Sequence, residues 1–121
     1  MMTTKLPVEF TPELKRKWVK ALRSGKYTKT EGCLKRFDGT YCALGILCDI
    51  SGLGYWDNTE PLEHSEEEFL TYKIKGSKEK ANQAISHLFK IGLDLEGTII
   101  DLNDSLNWTF SEMADWIEEN L

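Results

Sequence analysis

The sequence predicts an α+β fold, a mainly helical single domain of about four helices with a small antiparallel β-hairpin or three-stranded sheet. Three observations carry that expectation. Apolar residues near both ends of the chain recur at three- and four-residue spacing, the period of a helix with one buried face. Between Gly39 and Asp49 lies the longest run without a charge, in a chain whose residues are 29% charged, which marks a central core element. Finally, Leu70, Tyr72 and Ile74 alternate with Thr71, Lys73 and Lys75, the period-two signature of a half-buried strand.

With 121 residues, 40% of them hydrophobic and 11% aromatic, the chain is long enough to bury a core without metal or disulfide staples. That composition excludes a disordered chain. Residues 1–121 are read as one globular domain, with residues 1–10 a tail pinned by Leu6, Val8 and Phe10, and residues 57–68 an exposed acidic loop.

The first helix starts at Thr11, a good N-cap, with Pro12 in the first helical position and Glu13 at the positive end of the helix dipole. Leu14, Trp18, Ala21 and Leu22 form its apolar face, and Gly25 ends it. Its other face carries Lys15, Arg16, Lys17, Lys20 and Arg23. This basic face suits either a phosphate-bearing or acidic partner, or pairing with the acidic C-terminal half of the same chain.

Cys33 to Phe37, then Asp38-Gly39, then Thr40-Tyr41 read as a hairpin, because Asp-Gly supplies the positive backbone angles of a two-residue turn. The following run, from about Cys42 to Ile50, reads as a buried helix stopped by Gly52 and Gly54, with a buried strand as the alternative. Trp56 caps the core beyond it. After the acidic loop, the strand around Leu70 to Ile74 pairs with the hairpin.

A helix capped by Ser77 is expected next, turning Ala81, Ala84, Ile85 and Leu88 inward and ending at Gly92 with Leu93 behind it. Thr98 to Asp104 fits a short helix or a strand. The last helix opens with a capping box, Thr109 with Glu112. Its apolar stripe is Phe110, Met113, Ala114, Ile117 and Leu121, opposite Glu112, Asp115, Glu118 and Glu119.

Charge is strongly polarised. Residues 1–40 hold ten Lys or Arg against four Asp or Glu, and residues 41–121 hold five against sixteen. So acidic a chain repels nucleic acid from most approaches, and a nucleic-acid partner is not expected. Three cysteines, two of them inside the most apolar stretch, suit a reducing compartment. With no membrane-span-length apolar run and no signal-peptide apolar region, a cytoplasmic protein without membrane contact is expected.

Trp18-x-x-Ala21-Leu22-x-Ser24-Gly25-x-Tyr27, Cys42-x-Leu44-Gly45-x-Leu47-Cys48-Asp49, Trp56, and Leu102-Asn103-Asp104 with Phe110-x-Glu112-Met113-Ala114-Asp115-x-Ile117 together resemble a group of small proteins encoded by tailed bacteriophages and prophages. The likeness spans nearly the whole chain apart from the acidic loop and the strand after it. It implies no reaction. It does imply an accessory protein in the bacterial host cytoplasm, a class that works by binding a host protein or sequestering a defence ligand.

Three chemistries are compatible with the residues. A binding protein without catalysis would use the acidic C-terminal surface against a bacterial host protein, with Trp116, Asp115, Glu118 and Glu119 as its contacts, tryptophan being a common interface anchor. A cysteine hydrolase or transferase would use Cys42, its thiolate stabilised by a helix N-terminus, with His64 or His87 as base and Asp101, Asn103 or Asp104 as orienting group. A small-ligand-sequestering protein would use a pocket between the core helix and the acidic loop. Paired carboxylates among Asp49, Asp101 and Asp104 would suit a divalent ion or an acid and base pair, but Asn103-Asp104 just ahead of a helix reads more plainly as a turn whose side chains satisfy free backbone groups. Cys33, Cys42 and Cys48 lack the paired spacing of a zinc knuckle, and no phosphate-cradling glycine loop is present, so no metal or cofactor is expected.

Overall fold

The computed structural model describes residues 9–31, 33–57, 69–74, 80–81, 89 and 93–121. Within them the α+β expectation holds, with four α-helices and a small antiparallel sheet.

Helix α1 (Pro12–Arg23) begins where Thr11 Oγ1 accepts the Leu14 N–H at 3.1 Å. It buries Trp18, Val19 and Leu22, while Phe10 stands edge-on to the Trp18 ring at 5.8 Å between centroids. The hairpin follows. Its first strand, β1 (Lys35–Arg36), is closed by a three-residue loop rather than the expected two-residue one: Arg36 O accepts the Gly39 N–H, and Arg36 N–H donates to Thr40 O. Gly39 takes the left-handed conformation at φ +88°, which completes a turn followed by a bulge. Asp38 Oδ1 holds the loop by accepting from both Thr40 N and Thr40 Oγ1.

The charge-free run is a helix, α2 (Ala43–Ser51), with Cys42 as N-cap and Gly52 in the left-handed cap position. Every residue from Ala43 to Cys48 is buried, which is why the run carries no charge on any side. Gly45 sits against the hairpin backbone: a Cβ there would come within 2.8 Å of Leu34 C and closer still to Leu34 O. That carbonyl already accepts the Cys42 N–H at 3.0 Å, so α2 is seated directly on the hairpin main chain.

Trp56 lies in a strand not expected from the sequence, β2 (Gly54–Asp57), which takes Asp57 from the stretch read as an acidic loop; residues 58–68 of that stretch lie outside the described residues. Strand β3 (Phe69–Ile74) is central. It pairs antiparallel with β1 (Lys35 opposite Leu70), with β2 (Trp56 opposite Tyr72) and with β4 (Lys80–Ala81; Tyr72 opposite Ala81). Residues 80–81 are thus a strand and not part of the helix expected from Ser77. Of the remaining residues read as that helix only Phe89 is described, buried and in a bridge position rather than a helix; the others lie outside the described residues. The edge of β3 outcompetes the weak helical period of two residues.

Leu93 opens helix α3 (Leu93–Ile100) rather than closing a glycine cap. The helix continues into one π-helical turn over Asp101–Ser105, in which Asp101 O accepts the Leu106 N–H. The ambiguous Thr98 to Asp104 segment is therefore helical. Helix α4 (Phe110–Asn120) carries the full capping box of Thr109 and Glu112 and buries Met113, Ala114 and Ile117. It packs more extensively on α1 than any other described pair of elements, closing the core over Trp18. Fully burying side chains of this size contributes about 1.5–3 kcal/mol each, which is why the core rather than helix propensity holds these short helices.

Candidate functional site

Cys42 stands at the start of a helix, as its sequence position indicates, but its thiol has the opposite chemistry to a nucleophile. It is 8% exposed, and burial pushes its pKa up to about 12 even though backbone N–H groups of Gly45 and Leu44 oppose the rise. Its Sγ accepts the Gly45 N–H at 3.3 Å, so it serves as the helix cap. Cys48 is likewise pushed well up by burial. Desolvation outweighs the helix dipole because the cap is packed inside the core. His64 and His87 lie outside the described residues. In the folded protein, iodoacetamide is expected to label the half-buried Cys33 first. Cys42 and Cys48 should react only as fast as the protein unfolds, as read by mass spectrometry of timed samples. Rapid labelling of Cys42 would revive it as a nucleophile.

Asp49, Trp18 and Asn103 are each engaged by structure. Asp49 accepts from Tyr27 Oη at 2.7 Å and Trp56 Nε1 at 3.0 Å. Around that carboxylate the rings of Tyr27, Tyr41, Trp56 and Tyr72 stand edge-on to one another in series, with Lys35 Nζ 4.7 Å from the Tyr41 centroid. Trp18 Nε1 donates to Ala43 O at 2.9 Å. Asn103, 1% exposed in the π turn, accepts the Ala43 N–H through Oδ1 at 3.1 Å and donates through Nδ2 to Thr30 O at 2.9 Å. Asn103 thus satisfies backbone groups, as the turn reading has it, but on elements 60 and 73 residues away. Asp101 is exposed and Asp104 half-buried. Among the described residues no three His, Cys, Asp or Glu side chains are grouped to hold a metal ion, and no helix is long and apolar enough to cross a membrane. The pocket expected between α2 and the acidic loop has one wall outside the described residues.

Charge left open to solvent collects where α1 meets α4. Arg23 Nη2 reaches Asp115 Oδ1 at 2.6 Å and Glu118 Oε2 at 2.8 Å, and its Nη1 reaches Glu118 Oε1 at 3.0 Å, a bidentate grip on Glu118. Lys15 Nζ donates to Glu118 O at 3.1 Å. Hydrogen bonding to Arg23 holds the Glu118 carboxyl below its ordinary range. The basic face of α1 therefore pairs in part with the acidic C-terminal half, and Asp115 and Glu118, expected as partner contacts, are engaged within the chain. Trp116 is half-buried and packs against the core, while Glu119 is exposed and makes no ion pair among the described residues. Lys17 pairs with Glu13 one turn back at 3.7 Å.

Beside this seam Lys15, Arg16, Val19, Lys20, Arg23, Ser24, Lys26 and Glu118 line a groove of about 570 Å³. The helical period identifies its α1 cations from sequence alone. Lys26, which lies beyond the helix end, and the wall supplied by Glu118 carry no such signal. A second, smaller recess of about 420 Å³ is lined by Lys29, Thr30, Glu31, Arg36 and Asn107. Its cations are committed internally, Lys29 to Asn107 at 2.6 Å and Arg36 to Thr30 Oγ1 at 2.6 Å and Glu31 O at 3.1 Å.

No curated protein and no solved structure matches the chain. A family model matches residues 10–91, more than half of the chain, running from the Phe10 that packs on Trp18 through α1, the hairpin, α2 and the sheet. The protein therefore belongs to the family DUF8296, described as a domain of unknown function.

Proposed function

We propose that the protein is a phage-encoded accessory protein that acts in the cytoplasm of a bacterial host by binding a host protein or defence component, without catalysis of its own. The observation that supports this reading is the contrast between interior and surface. Among the described residues Cys42, Asp49 and Asn103 are desolvated or hydrogen-bonded in the interior, whereas the α1–α4 face presents cations and carboxylates side by side to solvent. A charged, open face of this kind steers and orients a charged macromolecule. The phage origin rests on the motif resemblance.

The test is capture from bacterial lysate by the tagged protein at low and high salt, alongside a Glu119→Lys variant. Glu119 is the substitution of choice because it is exposed and outside the Arg23 grip. One stoichiometric host protein should be retained, released by salt, and weakened roughly 2- to 5-fold by the substitution with the melting temperature unchanged. Retention of nothing, or retention indifferent to both salt and Glu119→Lys, would remove the reading.

A further inference from the structure

We propose that the groove beside α1 is a docking site for an acidic segment of a protein partner, held by Arg16, Lys20 and Lys26. The proposal rests on the reading of the α1–α4 face as an interface and names the chemistry of what it receives.

The groove's cations divide into two groups. Arg23 is neutralised by Asp115 and Glu118, and Lys15 caps the Glu118 carbonyl, so the two that reach α4 are committed to holding the helices together. Arg16, Lys20 and Lys26 have no carboxylate within ion-pair distance among the described residues, yet they line the same groove. Arg16 and Lys20 are four residues apart and so project from adjacent turns on one face of the helix, about 5–6 Å from each other. Lys26 adds a third positive charge beyond the turn at Gly25. Offsetting the helix dipole accounts for basic residues in the last turn, namely Lys20 and Arg23, but not for Arg16 or Lys26.

Two features favour a peptide over a nucleic acid. The groove has an apolar component, Val19 and the methylene stems of the lysines and arginines, which suits a chain with side chains and backbone better than bare phosphate. The chain as a whole carries a net charge of -5. At physiological salt the screening length is about 8 Å, so a short acidic segment seated in the groove feels mainly the local cations. A long uniform polyanion would also have to lie across acidic surface.

The probe is a fluorescently labelled oligoglutamate peptide, followed by anisotropy against the full chain, with a labelled oligothymidylate in parallel. The peptide should bind the wild-type protein in a salt-sensitive manner. Binding should fall at least tenfold in the triple variant Arg16→Gln, Lys20→Gln, Lys26→Gln, whose exposed substitutions leave the melting temperature in place. Absence of peptide binding, equal binding by the triple variant, or binding of oligothymidylate but not of peptide would each overturn the proposal. Capture of the lysate partner separates the two readings. If the partner is retained by the triple variant while Glu119→Lys loses it, the groove is wrong and the interface stands; if nothing is captured by wild type either, both fall.

Discussion

Gly45→Ala should be among the most destabilising single substitutions in the chain, lowering the free energy of unfolding by more than about 3 kcal/mol, at the upper end of overpacking effects. The added methyl would meet not a side chain that can turn away but the Leu34 carbonyl, with Leu34 C only 2.8 Å from the new carbon. Relief requires α2 to lift from the hairpin, and lifting breaks the Cys42 N–H to Leu34 O bond that seats the helix there. For a domain of this size the loss corresponds to a fall in melting temperature of roughly 10 °C or more. Urea unfolding of both proteins measures it, and a variant within about 1 kcal/mol of wild type would show that Leu34 has room to move.

Asn103→Ala should cost about 2–5 kcal/mol for a different reason. It removes one side chain that serves two buried main-chain groups, leaving the Ala43 N–H in the first turn of α2 and the Thr30 carbonyl without their partner. Each orphaned group costs about 1–3 kcal/mol. Asn103→Asp isolates the hydrogen-bonding part of that cost. It keeps the acceptor for Ala43 but sets a carboxylate against Thr30 O and beside Asp104, in a place 1% exposed. That environment raises the folded-state pKa of the new group. The variant should therefore be closest to wild type below about pH 4, where the group is protonated in both states and can donate to Thr30 O, and should lose stability as pH rises through the folded-state pKa. Denaturant midpoints across that range are the measurement, and an Asp variant insensitive to pH would mean that Asn103 fills space rather than satisfying backbone.

Features written in three or four consecutive residues were legible in the sequence. Thr11, the Thr109–Glu112 box, the Asp38-Gly39 turn and the Gly52 cap each act through hydrogen bonds or backbone angles that depend on immediate neighbours. The charge-free run announced an element buried all round, with a helix favoured over a strand, and it is the helix α2. Strands β2 and β4 were not legible, because they owe their existence to the edges of β3 and carry no period of their own. Nor was the Arg23 grip, whose partners lie 92 and 95 residues away. Composition showed that the two halves of the chain were oppositely charged; only the packing of α4 on α1 decides which charges meet and which stay open. Cys42 shows the same limit in part: its position at a helix start and inside an apolar run was readable, and its N–H bond to the Leu34 carbonyl of the hairpin was not.

The seating of α4 on α1 also sets the order in which the chain can finish. Forming it closes a loop of roughly 90 residues, an entropic cost of about 4 kcal/mol for an unstructured chain, whereas the hairpin and α2 are neighbours in sequence. Loop closure therefore favours the hairpin and α2 as the early unit and α4 as the late one. On a ribosome, at roughly 5–20 residues per second, α1 is made several seconds before the helix that covers it. Through that interval α1 has α2 to pack on, with Ala43 O to receive Trp18 Nε1, but the part of its inner face that α4 covers stays open to whatever else in the cell binds apolar surface.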